Sequence, residues 1–449
     1  MNLIPSFIHR RISRRPSLVK IVDNMGWLFF DNVLRMGLGL FVSIWLARYL
    51  GPGQFGQLSY ATILIGVFGT IAALGLNGIV VRDIVNNPAG SNTTLGTAFF
   101  LKLIGGSVAV LFIIGLTSYL RPNDELITTM IVVLSFSLVF KSSEVVKYWF
   151  ESQLQSRYSV WVENSVFVLI ASIKIALIIG EASLIAFVWV ILAEAMLVAM
   201  GLFGIYLHRE KKLLQWSVQV ERAKSLLKDS WPMIFMALML GIYTKIDVFM
   251  VEYFLGWDAT GLYSAALKVA ESWYFIAVVL TNSLYPNLIA AHSGNKKEFK
   301  RKLAAFYSLM FWVPVVVTAI VAVFSDDIMI VLYGDKYTGI AGVFSLYIWS
   351  SVFVFVITAS SRWFLVNNST KSLMYRATLG AFSNIVLNYF LLRALGLTGA
   401  AIATLISYFL VAYIYDLFDR KAHEQFWIKM AAPLYPFIRL SSELRNQKA

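Results

Sequence analysis

Residues 48–56 read Arg48-Tyr49-Leu50-Gly51-Pro52-Gly53-Gln54-Phe55-Gly56, and residues 254–261 read Phe254-Leu255-Gly256-Trp257-Asp258-Ala259-Thr260-Gly261. Gly51 and Gly256 stand 205 residues apart. The same offset joins Leu50 to Leu255, Gly56 to Gly261, Ser59 to Ser264 and Ala61 to Ala266. Each stretch closes one long apolar run and opens the next, so the chain repeats itself at the same point of two consecutive halves.

Working outward, the apolar runs continue along the chain. A spanning helix needs about 20 apolar residues to cross roughly 30 Å of hydrocarbon. Twelve runs meet that need: 24–49, 57–80, 95–118, 127–150, 157–179, 183–207, 231–254, 261–286, 303–325, 340–365, 372–393 and 397–418. Runs this long without alternation are helices, because lipid leaves every backbone group to be satisfied within its own segment. The composition agrees, with 59% apolar and 14% charged residues. A soluble chain carries charged residues near a quarter. The first run holds Asp31 and Arg35 and lacks a small-residue cleavage site, so it reads as a permanent helix rather than a signal peptide.

The net charge of +13 is topogenic. One set of alternate loops carries Arg10, Arg11, Arg14, Arg15 and Lys20, then the basic residues of 209–228, 296–302 and 420–448. The opposite set holds Arg121, Lys336 and Arg393, with Arg48 at a rim. Basic loops stay cytoplasmic, which puts both termini inside. The charge is spread over separate loops without a binding motif, so nucleic acid is not expected as a partner. Membrane lipids are. Cysteine is absent, excluding disulfides and thiol chemistry.

The implied organisation is a basic leader (1–23), an N-lobe (24–207), a cytoplasmic linker (208–230), a C-lobe (231–419) and a cytoplasmic tail (420–449). The expected fold class is an all-α membrane protein of about 12 transmembrane helices. Its two six-helix lobes are related by a pseudo-two-fold axis along the membrane normal, a transporter layout with a substrate site between the repeats.

Ionisable residues inside spans cost several kcal/mol, roughly 2.5–3.5 on insertion scales, unless they face a cavity or partner. Asp31 and Arg35 are four apart on one face of the first span. Lys268 and Glu271 are three apart in the eighth. Lys245 and Asp247, two apart in the seventh, cannot share a face. Lys102, Glu163, Lys174 and Glu194 lie in other spans. Arg35, Lys174, Lys245 and Lys268 are candidates for binding an anionic headgroup, Arg35 first because a guanidinium offers a bidentate fork. Asp31, Asp247 and Glu271 are candidates for ion coupling or gating. The same residues also read as internal salt bridges, with Asp31–Arg35 and Lys268–Glu271 correctly spaced. Lys141, Glu144 and Lys147, and Arg362 and Arg376, read as snorkelling to the interface. Gly37, Gly39 and Pro314 read either as bending points or, for the glycines, as close packing. The tail alternates apolar and basic residues as an interfacial segment does, with Pro433 and Pro436 against one continuous helix.

Arg48-Tyr49-Leu50-Gly51-Pro52, with Phe55-Gly56, resembles the signature closing the first helix of Wzx-type polysaccharide flippases. These belong to the multidrug/oligosaccharidyl-lipid/polysaccharide exporter superfamily. Asp247 before Phe254-Leu255-Gly256, then Gly261-Leu262-Tyr263-Ser264-Ala265-Ala266, Tyr285-Pro286, Tyr333-Gly334 with Tyr337, and Gly396 with Gly399-Ala400-Ala401 also match. The resemblance covers nearly the whole chain. It implies export of an undecaprenyl-diphosphate-linked oligosaccharide across the bacterial inner membrane, from the cytoplasmic to the periplasmic leaflet. It also implies a coupling cation (proton or sodium), and a polysaccharide polymerase with its chain-length machinery as partners. No cofactor is expected.

The rival readings are a multidrug or small-metabolite exporter of the same superfamily, and a membrane-embedded polysaccharide polymerase or ligase. A lipid II flippase and an ion channel fit less well, the first for want of two more C-terminal helices and the second for want of a filter sequence. His9, His208, His292 and His423 lack metal-site spacing, and no GxxxxGK[ST] loop occurs. The expectation is a transporter, not an enzyme.

Overall fold

In a computed structural model the described residues are 16–210, 215–292, 296–366 and 369–435, and their elements are all helical. The leader arginines, Lys211, Lys212 and the basic end of the tail lie outside them. Ten stretches among the described residues are long and apolar enough to cross a membrane. Two of them, Phe29–Asn86 and Val220–Tyr285, run to 58 and 66 residues, far beyond the ~20 that one crossing uses. Both contain a glycine break, and each therefore accounts for two spans.

The breaks are the repeated glycines. Helix α1 (Pro16–Ala72) is interrupted at Gly51, with φ 72° and ψ 171°. The helix Val220–Glu271 is interrupted at Gly256, with φ 81° and ψ −173°. A β-carbon disfavours positive φ, so glycine is the residue that accepts it. Pro52 reinforces the first break, since proline drives its predecessor out of the α region and suits the first helical position. The sequence repeat is thus a conformational repeat. The bend falls at Gly51, whereas Gly37 and Gly39 lie within continuous helix. Pro314 likewise sits inside an unbroken helix.

The chain divides into two compact units, residues 1–50 with 57–238, and residues 51–56 with 239–449. The first unit continues from α1 through α2 (Asn77–Asn86), α3 (Ser91–Leu120), α4 (Glu125–Ser135) and α5 (Ser137–Phe140). A 3-10 turn, Lys141–Glu144, leads to α6 (Val145–Ser152), α7 (Arg157–Ile179) and α8 (Leu184–Glu210). Helix α9 (Val220–Glu271) starts in this unit and runs on into the second. Leu76, Val80, Leu95, Val145 and Leu226 form one buried cluster that joins α2, α3, α6 and the start of α9.

The second unit continues with α10 (Phe275–His292), α11 (Lys296–Val323), α12 (Ser325–Tyr333), α13 (Ala341–Tyr347) and α14 (Ser350–Val366). Then come α15 (Thr370–Leu395), α16 (Leu397–Phe409), a π-helical turn at Leu410–Ile414, α17 (Tyr415–Phe418) and the tail helix α18 (His423–Ala431). Helix α18 gives way to a 3-10 turn, Ala432–Leu434, that contains Pro433.

Polarity is distributed inside out. On α3, Leu111 is 71% exposed while Lys102 is 2% exposed. Large apolar side chains such as Phe41, Phe112, Trp161 and Phe382 are also exposed. Exposed apolar surface on this scale requires an apolar solvent, and the protein is a multi-pass membrane protein.

Candidate functional site: charged clusters inside each unit

In the first unit the intramembrane charges converge. Arg35 Nε donates to Asp31 Oδ1 at 2.7 Å. Its Nη2 lies 3.5 Å from Glu163 Oε2, too long for a hydrogen bond, and makes none with another group. The guanidinium also stands over the Phe167 ring, 5.5 Å from its centroid. Glu163 accepts in turn from Lys147 Nζ at 2.9 Å. Lys102 Nζ donates to Glu144 Oε2 at 2.7 Å and to the Tyr148 hydroxyl at 3.0 Å. Lys174 Nζ donates to Glu194 Oε2 at 3.3 Å.

These pairs surround a cavity of about 330 Å³. Arg35, Lys141, Glu144, Glu163 and Glu194 supply its charged lining, with Ile65, Ile191 and Val198 among its apolar walls. The snorkelling reading of Lys141, Glu144 and Lys147 is corrected here. The 3-10 turn reorients this segment, and Lys141 and Glu144 face the cavity while Lys147 pairs with Glu163. Lys141 makes no ion pair among the described residues.

In the second unit two polar groups stand side by side on α9. Lys245 Nζ donates to both oxygens of Glu271, at 2.9 and 2.6 Å, and Tyr347 adds a hydrogen bond to Glu271 at 3.1 Å. The spacing of Lys268 and Glu271 suggests a partnership, but Glu271 turns to Lys245, and Lys268 lies on an exposed face. Asp247 is 1% exposed. Its Oδ2 accepts from the Tyr263 hydroxyl at 2.7 Å and from Thr404 Oγ1 at 3.3 Å, and its Oδ1 from the Val248 amide at 2.9 Å. It makes no ion pair among the described residues. Three donors hold this carboxylate by hydrogen bonds, with no cation among the described residues in contact to neutralise it.

Arg376 departs from its snorkelling reading. It is 2% exposed, and its guanidinium donates to Ser360 Oγ at 2.8 Å and to the Ile357 carbonyl at 3.0 Å. Arg362 donates to Asn282 Oδ1 at 2.7 Å.

The signature residues position backbone rather than chemistry. Tyr49 donates to the Ala182 carbonyl at 2.7 Å and packs on Phe187. Within the second unit, a β-carbon at Gly56 would overlap the Trp257 carbonyl oxygen, and one at Gly261 would overlap that of Pro52. Arg48 and Leu50 flank this turn, and Tyr263 is the donor to Asp247.

Residues 21–292 match the family described as polysaccharide biosynthesis protein, which is more than half of the chain. The chain belongs to this family. A second match, MatE, covers residues 232–390. Among relatives, a protein of Haloferax volcanii named as the low-salt glycan biosynthesis flippase Agl15 is 24% identical. That match takes in 85% of this chain and 79% of the relative. A protein of Shigella flexneri named as an O-antigen transporter is 23% identical, over 86% of this chain and 94% of its own. Among solved structures, the lipid II flippase MurJ in an inward closed conformation superposes with a TM-score of 0.70. It is 16% identical, and the match covers 94% of this chain and 93% of that one. An inward-facing multidrug resistance MATE family transporter gives 0.65 at 13% identity, over 90% and 95%. These structures share the fold of this polysaccharide biosynthesis protein.

Sequence reasoning on this family member singles out Arg35 and Asp247 as candidates from depth alone, and the structure places both among polar partners. That reasoning misses Thr404 and Tyr347 as their neighbours' donors, and Lys141 as a cavity residue. Hydroxyl residues are common in membrane helices, and no spacing along the chain marks which of them meets a carboxylate 157 positions away, as Thr404 meets Asp247.

Proposed function

We propose that this protein flips a lipid-linked oligosaccharide, carried on a polyprenyl diphosphate such as undecaprenyl diphosphate, from the cytoplasmic to the periplasmic leaflet of a bacterial inner membrane. Both termini are cytoplasmic in this reading, as the loop charges favour. The observation that carries it is the Arg35 cavity. A diphosphate headgroup moving through apolar surroundings needs cations held at depth, and Arg35 and Lys141 line a mainly apolar-walled cavity inside the first unit. Arg35 is the principal headgroup contact, because its guanidinium can exchange Asp31 and Glu163 for phosphate oxygens. Lys174, Lys245 and Lys268 are secondary candidates, the first two already engaged with carboxylates. Membership of the polysaccharide biosynthesis family, and relatives named as flippases and an O-antigen transporter, support the cargo.

Asp247 is the coupling residue in this reading. Loading it with a proton or sodium ion changes the hydrogen bonds that Tyr263 and Thr404 make, linking α9 to α16. Asp31 and Glu271, each in an ion pair, act as gating partners. The protein transports and does not catalyse, and it hands its cargo to a polymerase with its chain-length machinery.

The test is leaflet accessibility of a labelled undecaprenyl-diphosphate oligosaccharide in reconstituted vesicles, with and without an imposed proton or sodium gradient. Protein-dependent, gradient-stimulated transfer is the expected result. The match of residues 232–390 to MatE favours a second reading, a multidrug exporter. Gradient-driven efflux of an amphipathic drug, with no glycan transfer, would replace the first reading by the second.

A further inference from the structure

A cleft of about 740 Å³ lies in the second unit between the first turns of α11 and the tail helix α18. Its α11 side presents Lys297, Lys300 and Arg301 together with Glu298, and its tail side presents Trp427, Ile428 and Tyr435. The carboxylates nearby are committed. Glu298 pairs with Lys302 at 2.8 Å, and Glu424 pairs with Lys300 at 2.8 Å. Arg301 makes no ion pair among the described residues. The cleft therefore carries an excess of positive charge along one wall and aromatic surface along the other.

The tail wall is fixed rather than loosely laid down. Lys429 is fully buried and pairs with Asp416 Oδ2 at 2.5 Å. It also donates to the Ala412 carbonyl, within the π-helical turn that presents that oxygen. Gln425 Nε2 donates to the same Asp416 oxygen at 2.9 Å. The Trp312 indole donates to the Pro433 carbonyl at 3.0 Å, tying the following turn to α11. With the inner side of α18 held in this way, Trp427, Met430 and Leu434 are left exposed.

Cations above an exposed apolar and aromatic shelf match the boundary between phosphate headgroups and acyl chains. Each basic residue near an anionic leaflet contributes about 1 kcal/mol of attraction. The volume lies within the roughly 300–1,000 Å³ of ligand sites. We propose that this cleft binds one anionic phospholipid. Arg301 and Lys297 hold its phosphate beside the Lys300–Glu424 pair, and its chains lie along Trp427, Ile428 and Tyr435. The site is separate from the cavity at Arg35, and it stands whether or not the transported cargo is a glycolipid.

The experiment is native mass spectrometry of the purified full-length protein titrated with phosphatidylglycerol, phosphatidylcholine and inorganic phosphate. One retained phosphatidylglycerol is expected, held about tenfold more tightly than phosphatidylcholine, and not displaced by millimolar phosphate. Arg301→Glu removes that preference. Trp427→Ala weakens retention of the lipid, and Lys336→Gln, in the second unit but outside the cleft, leaves it intact. Equal retention of both lipids by the native protein overturns the proposal, as does phosphatidylglycerol binding unchanged in Arg301→Glu. Displacement by inorganic phosphate also overturns it, in favour of a soluble anion. If Arg301→Glu fails to fold, Lys297→Gln with Lys300→Gln supplies the same comparison.

Discussion

Gly261 packs against the Pro52 carbonyl with no room for a β-carbon between them. Two stretches 205 residues apart in register therefore meet at their own equivalent turns, Gly56 against Trp257 and Gly261 against Pro52. The obstacle in each case is backbone, which cannot rotate aside as a side chain can. Gly261→Ala should accordingly lower stability by about 1–3 kcal/mol, seen as an earlier thermal unfolding midpoint in detergent. Gly37→Ala, where a β-carbon meets nothing within 4 Å, should leave the midpoint unchanged or slightly raised. Equal midpoints for the two variants would contradict the close approach.

Arg35 pairs with Asp31 and is the proposed headgroup contact, and the two roles separate on mutation. Arg35→Gln leaves Asp31 without its closest cation and should reduce both stability and glycan transfer. Asp31→Asn combined with Arg35→Gln removes both charges and should recover the unfolding midpoint, because replacing a whole ion pair costs far less than stranding one member. Transfer should stay at least about tenfold down in the double variant. Recovery of transfer together with stability would reduce Arg35 to a structural role.

Lys245 and Glu271 give the converse case. Glu271→Gln leaves a lysine at depth without its carboxylate, Lys245→Met strands the carboxylate, and each should destabilise the protein, whereas Lys245→Met with Glu271→Leu should unfold later than either single variant. The pair is half-buried, with 28% and 26% of the two side chains exposed. The loss in the single variant should therefore fall below the ~3–5 kcal/mol of fully buried pairs. Thermal unfolding of the three variants measures it.

Lys429, in the tail helix beyond the last span, provides a pH dependence. Burial pushes its ammonium down to about 8 from the usual 10.5, against the opposing pull of Asp416 and with the help of Arg376. The folded state then binds fewer protons than the unfolded state between these two values. Stability attributable to this group should rise as pH climbs from about 8 towards 10.5, by at most ~1.4 kcal/mol per pH unit. Lys429→Met should flatten that part of the unfolding-midpoint profile. A native profile that falls over the same window, relative to the variant, would refute the assignment.

Much of the molecule is legible in the chain. Gly51 and Gly256 break their helices because positive φ is a local property of the residue, and the offset between them survives any packing. Membrane residence and the positions of the spans follow equally from local composition, since a run of apolar residues meets its solvent one helix at a time. The candidate headgroup and coupling residues at Arg35 and Asp247 come from depth within a span, which is also countable along the chain.

Partner choice was decided only by tertiary structure. A helix that is apolar nearly all round carries no stripe to say which face turns inward, so its rotation is set by neighbours far away in sequence. That is why Glu271 pairs with Lys245, far along the same chain segment, rather than with Lys268 three residues away, and why Arg376 folds inward to Ser360 instead of reaching the interface. It is also why Lys141 and Glu144 face a cavity closed by α1, α7 and α8. The sequence by itself determined a multi-pass helical protein of the polysaccharide biosynthesis family with an internal repeat. The packing decided which of its buried charges are neutralised and which, like Asp247, are held by hydrogen bonds alone.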